Sequence, residues 1–368
     1  MFNRFKLYLK HFDWLILAGV VLLVSFGLVE IYSVALGRES LDLLNFQKQI
    51  FFAILGFVLL FVFAFLDSYF LKSVNRYLYI LAAIVLIAVL IFGQTIRGTK
   101  GWFSIFSFGL QPVEFVKIIL IVFLANFFSN LATRVKTTRH FLYSALSTFV
   151  LIALVLLQPD FGSALILGII WLIMIMAAGF NKKYFIVVGL LVAIVFTSSW
   201  FLFFKEYQKD RIKTFLSPTT NSLESGYNIS QAIIAVGSGG LVGKGVGFGS
   251  QSQLKFLPEA QNDFIFAVIA EELGFLGVIL VLFFYFILFF RCFRALNRVN
   301  NDFGIYFIIG AGGLIFIQMF INIGMNLGIM PIVGLSLPFV SYGGSSLLSL
   351  LILVGIIENI IIKSKISY

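Results

Sequence analysis

A few residues in this 368-residue chain have the types and spacing to do acid–base or charge-stabilising chemistry. Glu114 and Lys117 stand three apart, so a helix holding them puts both on one face. They are either an ion pair that locks two helices or an ammonium facing an anionic headgroup in a wet cavity. Asp160 follows in Gln158-Pro159-Asp160. Farther on, Leu257-Pro258-Glu259-Ala260-Gln261-Asn262-Asp263 ends in two more acids. Pro258 suits a first helical turn, which predicts Glu259 and Asp263 four apart on one helix face. Like charges so placed repel, which implies a cation or proton nearby. A neighbouring carboxylate and partial desolvation would bring an Asp toward the proton affinity of a useful general base; the other reading of Asp263 is a solvated helix end. Glu271 and Glu272 need partners from another helix or a water-filled cavity.

The stretch from Gly237 to Gly249 invites a phosphate-loop reading, but Ser238 and Gly245 stand where the loop needs Gly and Ser or Thr. Its glycines let backbone approach a bulky headgroup or another helix, or they make a flexible connector. Lys244 in its midst supplies a point charge suited to phosphate. The chain has two histidines, His11 and His140, and one cysteine, Cys292. An intramolecular disulfide is excluded, and the two histidines alone do not make a metal centre.

The elements that must position these residues are set by a composition that is 61% hydrophobic and 11% charged, with a mean hydropathy of +1.06. A soluble domain carries about 25% charged residues, so this chain belongs in a bilayer. Ten apolar stretches, near 14–36, 50–66, 77–93, 114–131, 141–157, 161–179, 184–204, 264–290, 303–328 and 343–361, lack strand-like alternation. They predict an all-α integral membrane protein of about ten transmembrane helices, a single polytopic domain over residues 1–368. Fifteen of the 26 Lys and Arg fall on one side of those spans: Arg4, Lys6, Lys10, Lys72, Arg76, Arg134, Lys136, Arg139, Lys182, Lys183, Arg291, Arg294, Arg298, Lys363 and Lys365. Cytoplasmic loops retain such residues, so both termini are expected inside and the long loop 205–263, between helices 7 and 8, outside. The net charge of +10 is thereby used for orientation, with no nucleic-acid partner. Asp160, Glu114, Glu259 and Asp263 are all expected on the outer face and both histidines on the other, which leaves outer acid–base work to carboxylates.

Four blocks resemble the SEDS family (shape, elongation, division and sporulation). They are Gln111-Pro112-Val113-Glu114-Phe115-Val116-Lys117; Gln158-Pro159-Asp160-Phe161-Gly162-Ser163-Ala164; the run from Tyr207-Gln208-Lys209-Asp210-Arg211 through Gly243-Lys244-Gly245 to Asp263-Phe264-Ile265-Phe266; and Asn322-Ile323-Gly324-Met325 through Leu337-Pro338-Phe339-Val340-Ser341-Tyr342-Gly343-Gly344-Ser345-Ser346. The likeness covers essentially the whole chain. It departs at Gln261-Asn262, where the family usually has His-Thr, at Val113 for Ser, and at Gly101, beside Lys100, for Arg. The resemblance implies a peptidoglycan glycosyltransferase of the bacterial plasma membrane that polymerises lipid II at the outer face. It implies a class B penicillin-binding protein transpeptidase and elongation-complex membrane proteins as partners. The family's catalytic Asp falls on Asp263 and its other important acid on Asp160. Glu114, Lys117, Arg211 and Lys244 match positions associated with activity, and Glu259, Ser341, Gly343 and Gly344 are expected to support the site. Charge on the leaving pyrophosphate would be stabilised by Lys117, Arg211 or Lys244, or by a divalent cation such as Mg or Mn. The short termini and the Pro-Phe-Val-Ser-Tyr-Gly-Gly form of the last block favour the rod-shape branch over the division or sporulation branches. The competing classes are a lipid II flippase, which should show charged groups along a path and broken helices, and a non-catalytic scaffold.

Overall fold

A computed structural model describes residues 2–37, 43–66, 68–96, 98–105, 108–131, 137–202, 209 and 225–366. Every expected apolar stretch falls on a helix. In chain order these are α1 (Phe2–His11), α2 (Trp14–Leu36), α3 (Leu44–Phe65), α4 (Ser68–Phe92), α5 (Pro112–Ser129), α6 (Thr138–Leu156), α7 (Phe161–Ala177), α8 (Lys182–Leu202), α9 (Ser225–Ser238), α10 (Ser250–Gln253), α11 (Ile265–Leu296), α12 (Asp302–Asn326) and α13 (Gly344–Ile366). Eight of them, α2 to α6 and α11 to α13, are long and apolar enough to cross a membrane. These eight are counted among the described residues, and the other two expected stretches also fall on helices, α7 and α8. The apolar α7 has 17 residues, about 26 Å at 1.5 Å per residue, short of a hydrocarbon core of about 30 Å. The helix α8 occupies the remaining stretch with 21 residues.

Between the helices lies one small sheet that the apolar stretches do not predict. Three antiparallel strands, β1 (Gln94–Ile96), β2 (Thr99–Ile105) and β3 (Phe108–Leu110), form a sheet in the order β1-β2-β3. Gly98, at φ +79, supplies the left-handed residue in the turn between β1 and β2. The sheet leads into Gln111 and α5, and Lys100 N donates to Gln158 O at 3.2 Å, which ties it to the segment before Asp160.

The helix α13 forms the buried axis. It packs along α3, close enough that a Cβ on Gly355 would lie 2.4 Å from Leu60 O. Around this pair α11 lies on α2, α12 on α5 and α7, and α4 on α5. Core side chains such as Leu120, Ile121, Tyr285, Phe303 and Phe307 are fully buried, while α4 turns Ile80, Ile84, Ile87 and Ile91 outward, as a lipid-facing helix would.

The long connection before α11 is not all loop, since α9 and α10 lie in it. Its Gly-rich stretch is docked rather than free. The helix α11 breaks at Gly274 (φ 67, ψ −163), nine residues and about 14 Å from its start. The freed groups are taken up by the stretch: Lys244 N donates to Glu271 O at 3.1 Å, Gly245 N to Glu272 O at 2.8 Å, Phe275 N to Gly240 O at 3.0 Å and Leu276 N to Leu241 O at 3.1 Å. A Cβ on Gly274 would sit 2.3 Å from Gly243 N, so glycine here serves the close approach as well as the dihedral. Irregular backbone at this depth is tolerated in a membrane protein because protein covers it.

Candidate active site

Asp263 ends a series of turns from Pro258 to Phe264 that leads into α11. This corrects the expected helical turn: Glu259 sits at φ 55 and accepts from the side chain of Asn262, so it is not stacked four residues above Asp263. Pro258 fixes its own φ but not that of its neighbour, and the left-handed Glu259 turns the chain away from helix. The inference of a nearby cation or proton from like-charge stacking loses its basis with that turn.

The backbone of Asp263 is fixed from two sides. Asn322 and Asn326, one turn apart near the end of α12, donate from Nδ2 to Asp263 O at 2.9 and 3.0 Å. Asn322 also donates to Leu335 O at 2.7 Å, and Asn326 Oδ1 accepts from Ala267 N at 3.1 Å in the first turn of α11, an amide shared with Phe264 O at 3.0 Å. From the other side, Ser341 Oγ accepts from Leu337 N at 2.8 Å and donates to Asn262 O at 2.6 Å, while Tyr342 N donates to Gln261 O at 2.8 Å. Gln49, buried on α3, braces this second segment by donating to Ser341 O at 3.2 Å and accepting from Gly343 N at 3.1 Å. The Asp263 carboxylate is half-buried and lies beside Gly334, with Oδ2 3.7 Å from where a Cβ there would be. Gly344 fits beneath Phe52, where a Cβ would lie 2.3 Å from the ring.

Asp160 caps the N-terminus of α7, where its Oδ1 accepts from Ser163 N at 2.9 Å. Its Oδ2 accepts from Gln111 Nε2 at 3.4 Å, and Gln111 N in turn donates to Ser345 Oγ at 2.9 Å. Gly162 presses against the same connecting segment that passes Asp263, with a would-be Cβ 2.6 Å from Val333 O. Residues 331–346 are therefore a shared wall between the two acids.

Three residues beyond Gln111, Glu114 accepts from Lys117 Nζ at 2.7 Å with both residues buried, so the ammonium's partner is the carboxylate of its own helix. Lys244 lies elsewhere, on the docked Gly-rich stretch, 2.8 Å from the fully buried Glu271. Glu271 also accepts from Ser250 Oγ at 3.1 Å and from Gln251 N and Ser252 N at 3.0 and 3.3 Å. Glu272 accepts from Ser33 Oγ at 2.5 Å, Gly247 N at 3.0 Å and Ser252 Oγ at 3.1 Å. The partners of both acids thus come from the Gly-rich stretch, α10 and α2. Arg211 lies outside the described residues.

No group of three or more His, Cys, Asp or Glu is arranged to hold a metal among the described residues. Asp160 is occupied by Ser163 and Gln111, and Glu114 by Lys117, so the described residues do not form a resident metal's ligand set. Asn322, Asn326, Gln49 and Gln111 hold the site without being among the residues expected to act in it. Their signal is a polar amide inside or beside an apolar span, which is costly unless hydrogen-bonded.

The geometry has a family context. Residues 13–366 match the model of the FtsW, RodA and SpoVE cell cycle proteins. The probable peptidoglycan glycosyltransferase FtsW of Trichlorobacter lovleyi is 38% identical over 359 residues, covering 96% of this chain and 93% of that one. The peptidoglycan glycosyltransferase MrdB of Escherichia coli K12 is 35% identical, covering 95% and 93%. A solved chain from work on the structural coordination of polymerization and crosslinking by a peptidoglycan synthase complex superposes with a TM-score of 0.80 at 28% identity, covering 96% and 98%. The rod shape determining protein RodA of Thermus thermophilus gives 0.72 at 27%, covering 97% and 98%. This chain is a multi-pass membrane protein and belongs to the FtsW/RodA/SpoVE family of cell cycle proteins.

Proposed function

We propose that this peptidoglycan glycosyltransferase polymerises lipid II into glycan strands at the outer face of the bacterial plasma membrane during cell elongation, with Asp263 as its general base. Asp263 takes the proton from the GlcNAc 4-hydroxyl of an incoming lipid II as that oxygen bonds to the MurNAc anomeric carbon of the growing strand. The bond from that carbon to the polyprenyl pyrophosphate breaks, the configuration inverts, and the pyrophosphate leaves with the electron pair. The observation that carries this reading is the half-buried Asp263 carboxylate at the end of a spanning helix, on a backbone fixed by Asn322, Asn326 and Ser341. A base must be held in place yet reach substrate. Asp160 stands across the shared wall in a supporting role, and Glu259, Gly343 and Gly344 shape the turns around the base. The leaving charge is met by Lys117, acting together with Glu114, or by Arg211 or Lys244.

A class B penicillin-binding protein transpeptidase is the proposed partner, together with other membrane proteins of the elongation complex. The broken α11 is the feature that would suit a lipid II flippase, but the gap at Gly274 is filled by the chain's own Gly-rich stretch.

One assay separates these readings: gel analysis of glycan made by purified protein, with and without its transpeptidase, from lipid II supplied on the accessible side. General-base catalysis is worth on the order of 10²- to 10⁴-fold, so Asp263→Asn should reduce polymerisation by at least that much while lipid II binding and folding remain. Long glycan strands from the Asp263→Asn protein would overturn the assignment, and a wild type that makes none would favour a transporter.

A further inference from the structure

The end of α11 opposite Asp263 carries a second arrangement of charge. Arg291, Arg294 and Arg298 line a shallow surface cleft together with Ser364 and Lys365 of α13 and Asp13, the residue before α2. Two of its cations are already engaged. Arg291 donates to both carboxylate oxygens of Asp13, and Lys365 Nζ donates to His11 O at 2.9 Å and stands 4.0 Å from Asp13. Arg294 and Arg298 are different: their guanidinium groups make no hydrogen bond or ion pair with any described residue. They stand one turn apart, where like charges repel, against a wall already carrying Arg291 and Lys365. Among the described lining residues Asp13 is the one carboxylate against four cations, and the buried Glu358 behind it accepts from Asp13 N at 3.0 Å; the cleft therefore carries an excess of positive charge, and its complement is an anion that accepts from two forked donors at once.

What lies along the helix identifies the kind of anion. Phe286, Phe290 and Arg294 follow one another at intervals of four residues on α11, and Arg298 continues that interval in the turn just past the helix end at Leu296, so that they form one slowly winding stripe. Phe286 and Phe290 stack at 5.9 Å between ring centroids and face outward, and both arginines are exposed. The stripe is thus apolar within the span and doubly cationic where the helix leaves it. A free anion would use only the arginines, whereas a molecule with a phosphate head and an acyl tail would use the whole stripe.

We propose that this cleft binds an anionic membrane lipid, its phosphodiester held by Arg294 and Arg298 and one acyl chain lying over Phe286 and Phe290. Basic side chains at a span's end also meet lipid headgroups without selectivity, and the test must separate the two cases. The full-length protein, purified in neutral detergent, is titrated in native mass spectrometry with phosphatidylglycerol and with phosphatidylcholine of the same chains. One phosphatidylglycerol should remain bound under conditions that strip phosphatidylcholine. Losing two charge-assisted contacts in Arg294→Gln/Arg298→Gln should weaken it by roughly tenfold or more. A control with the same change in charge, Arg76→Gln/Lys182→Gln, removes exposed cations on α4 and α8 and should retain the lipid. The proposal is overturned if the arginine variant binds as the wild type does, if both double variants weaken alike, or if inorganic phosphate binds as tightly as the lipid. All four positions are solvent-exposed, and Arg294→Gln alone serves as a milder variant with the same expected direction.

Discussion

The docking of the Gly-rich stretch onto α11 depends on the Lys244–Glu271 pair, and its strength can be measured. Glu271 is fully buried and accepts four hydrogen bonds, three of them on Oε1, whereas the Lys244 side chain is 31% exposed. Lys244→Met removes the only cation bonded to that carboxylate among the described residues and leaves three neutral donors. Removing one partner of a buried pair costs about 3–5 kcal/mol. Because Lys244 already meets solvent, the loss belongs at the lower end, about 3 kcal/mol. The amides of Lys244, Gly245, Phe275 and Leu276 bridge stretch and helix and are released together when the stretch lifts, so their hydrogen exchange reports that opening. At about 1.4 kcal/mol per tenfold, exchange in peptides spanning 239–249 and 270–277 should rise by roughly a hundredfold in Lys244→Met, with α5 unchanged. In Lys244→Met/Glu271→Gln no buried charge is stranded, and about a tenfold part of that loss should be recovered. Two results would sink the reasoning: unchanged exchange in Lys244→Met, or a double variant that equals the sum of the single ones within about 0.5 kcal/mol.

The same logic applies inside α5. Lys117→Met strands the buried Glu114 and should lower stability by about 3–5 kcal/mol, whereas Glu114→Gln/Lys117→Met should unfold closer to wild type in denaturant titrations in detergent. Ser341→Ala deletes one donated and one accepted bond beside Asp263. It should cost about 1–2 kcal/mol and reduce the rate of glycan polymerisation while lipid II binding persists; an unchanged rate would mean that Ser341 does not position the base.

The helices were legible because a span needs about 20 apolar residues and each stretch was interrupted by charge or turn residues. The sheet over residues 94–110 was missed because its strands are short and glycine-broken, lacking the sustained alternation that marks a strand. The turn at Glu259 was misread for a local reason: Pro258 permits a helix start, and only the left-handed residue after it forbids one. Glu271 and Glu272 could be recognised from sequence as acids that required partners, but their partners lie on α2, α10 and the Gly-rich stretch.

The sequence by itself determined the solvent, since its apolar runs cannot be satisfied in water, and it determined which few charged residues were costly enough to need a use. Tertiary structure decided the pairing. Lys117 belongs to Glu114 on its own turn, a local fact within reach of spacing. Lys244 belongs to Glu271, 27 residues away, and Asp263 is fixed by amides 59 and 63 residues along the chain. Hydrogen bonds and ion pairs act over a few ångströms of space, and no periodicity of a sequence encodes which distant segments a broken helix will bring within that reach.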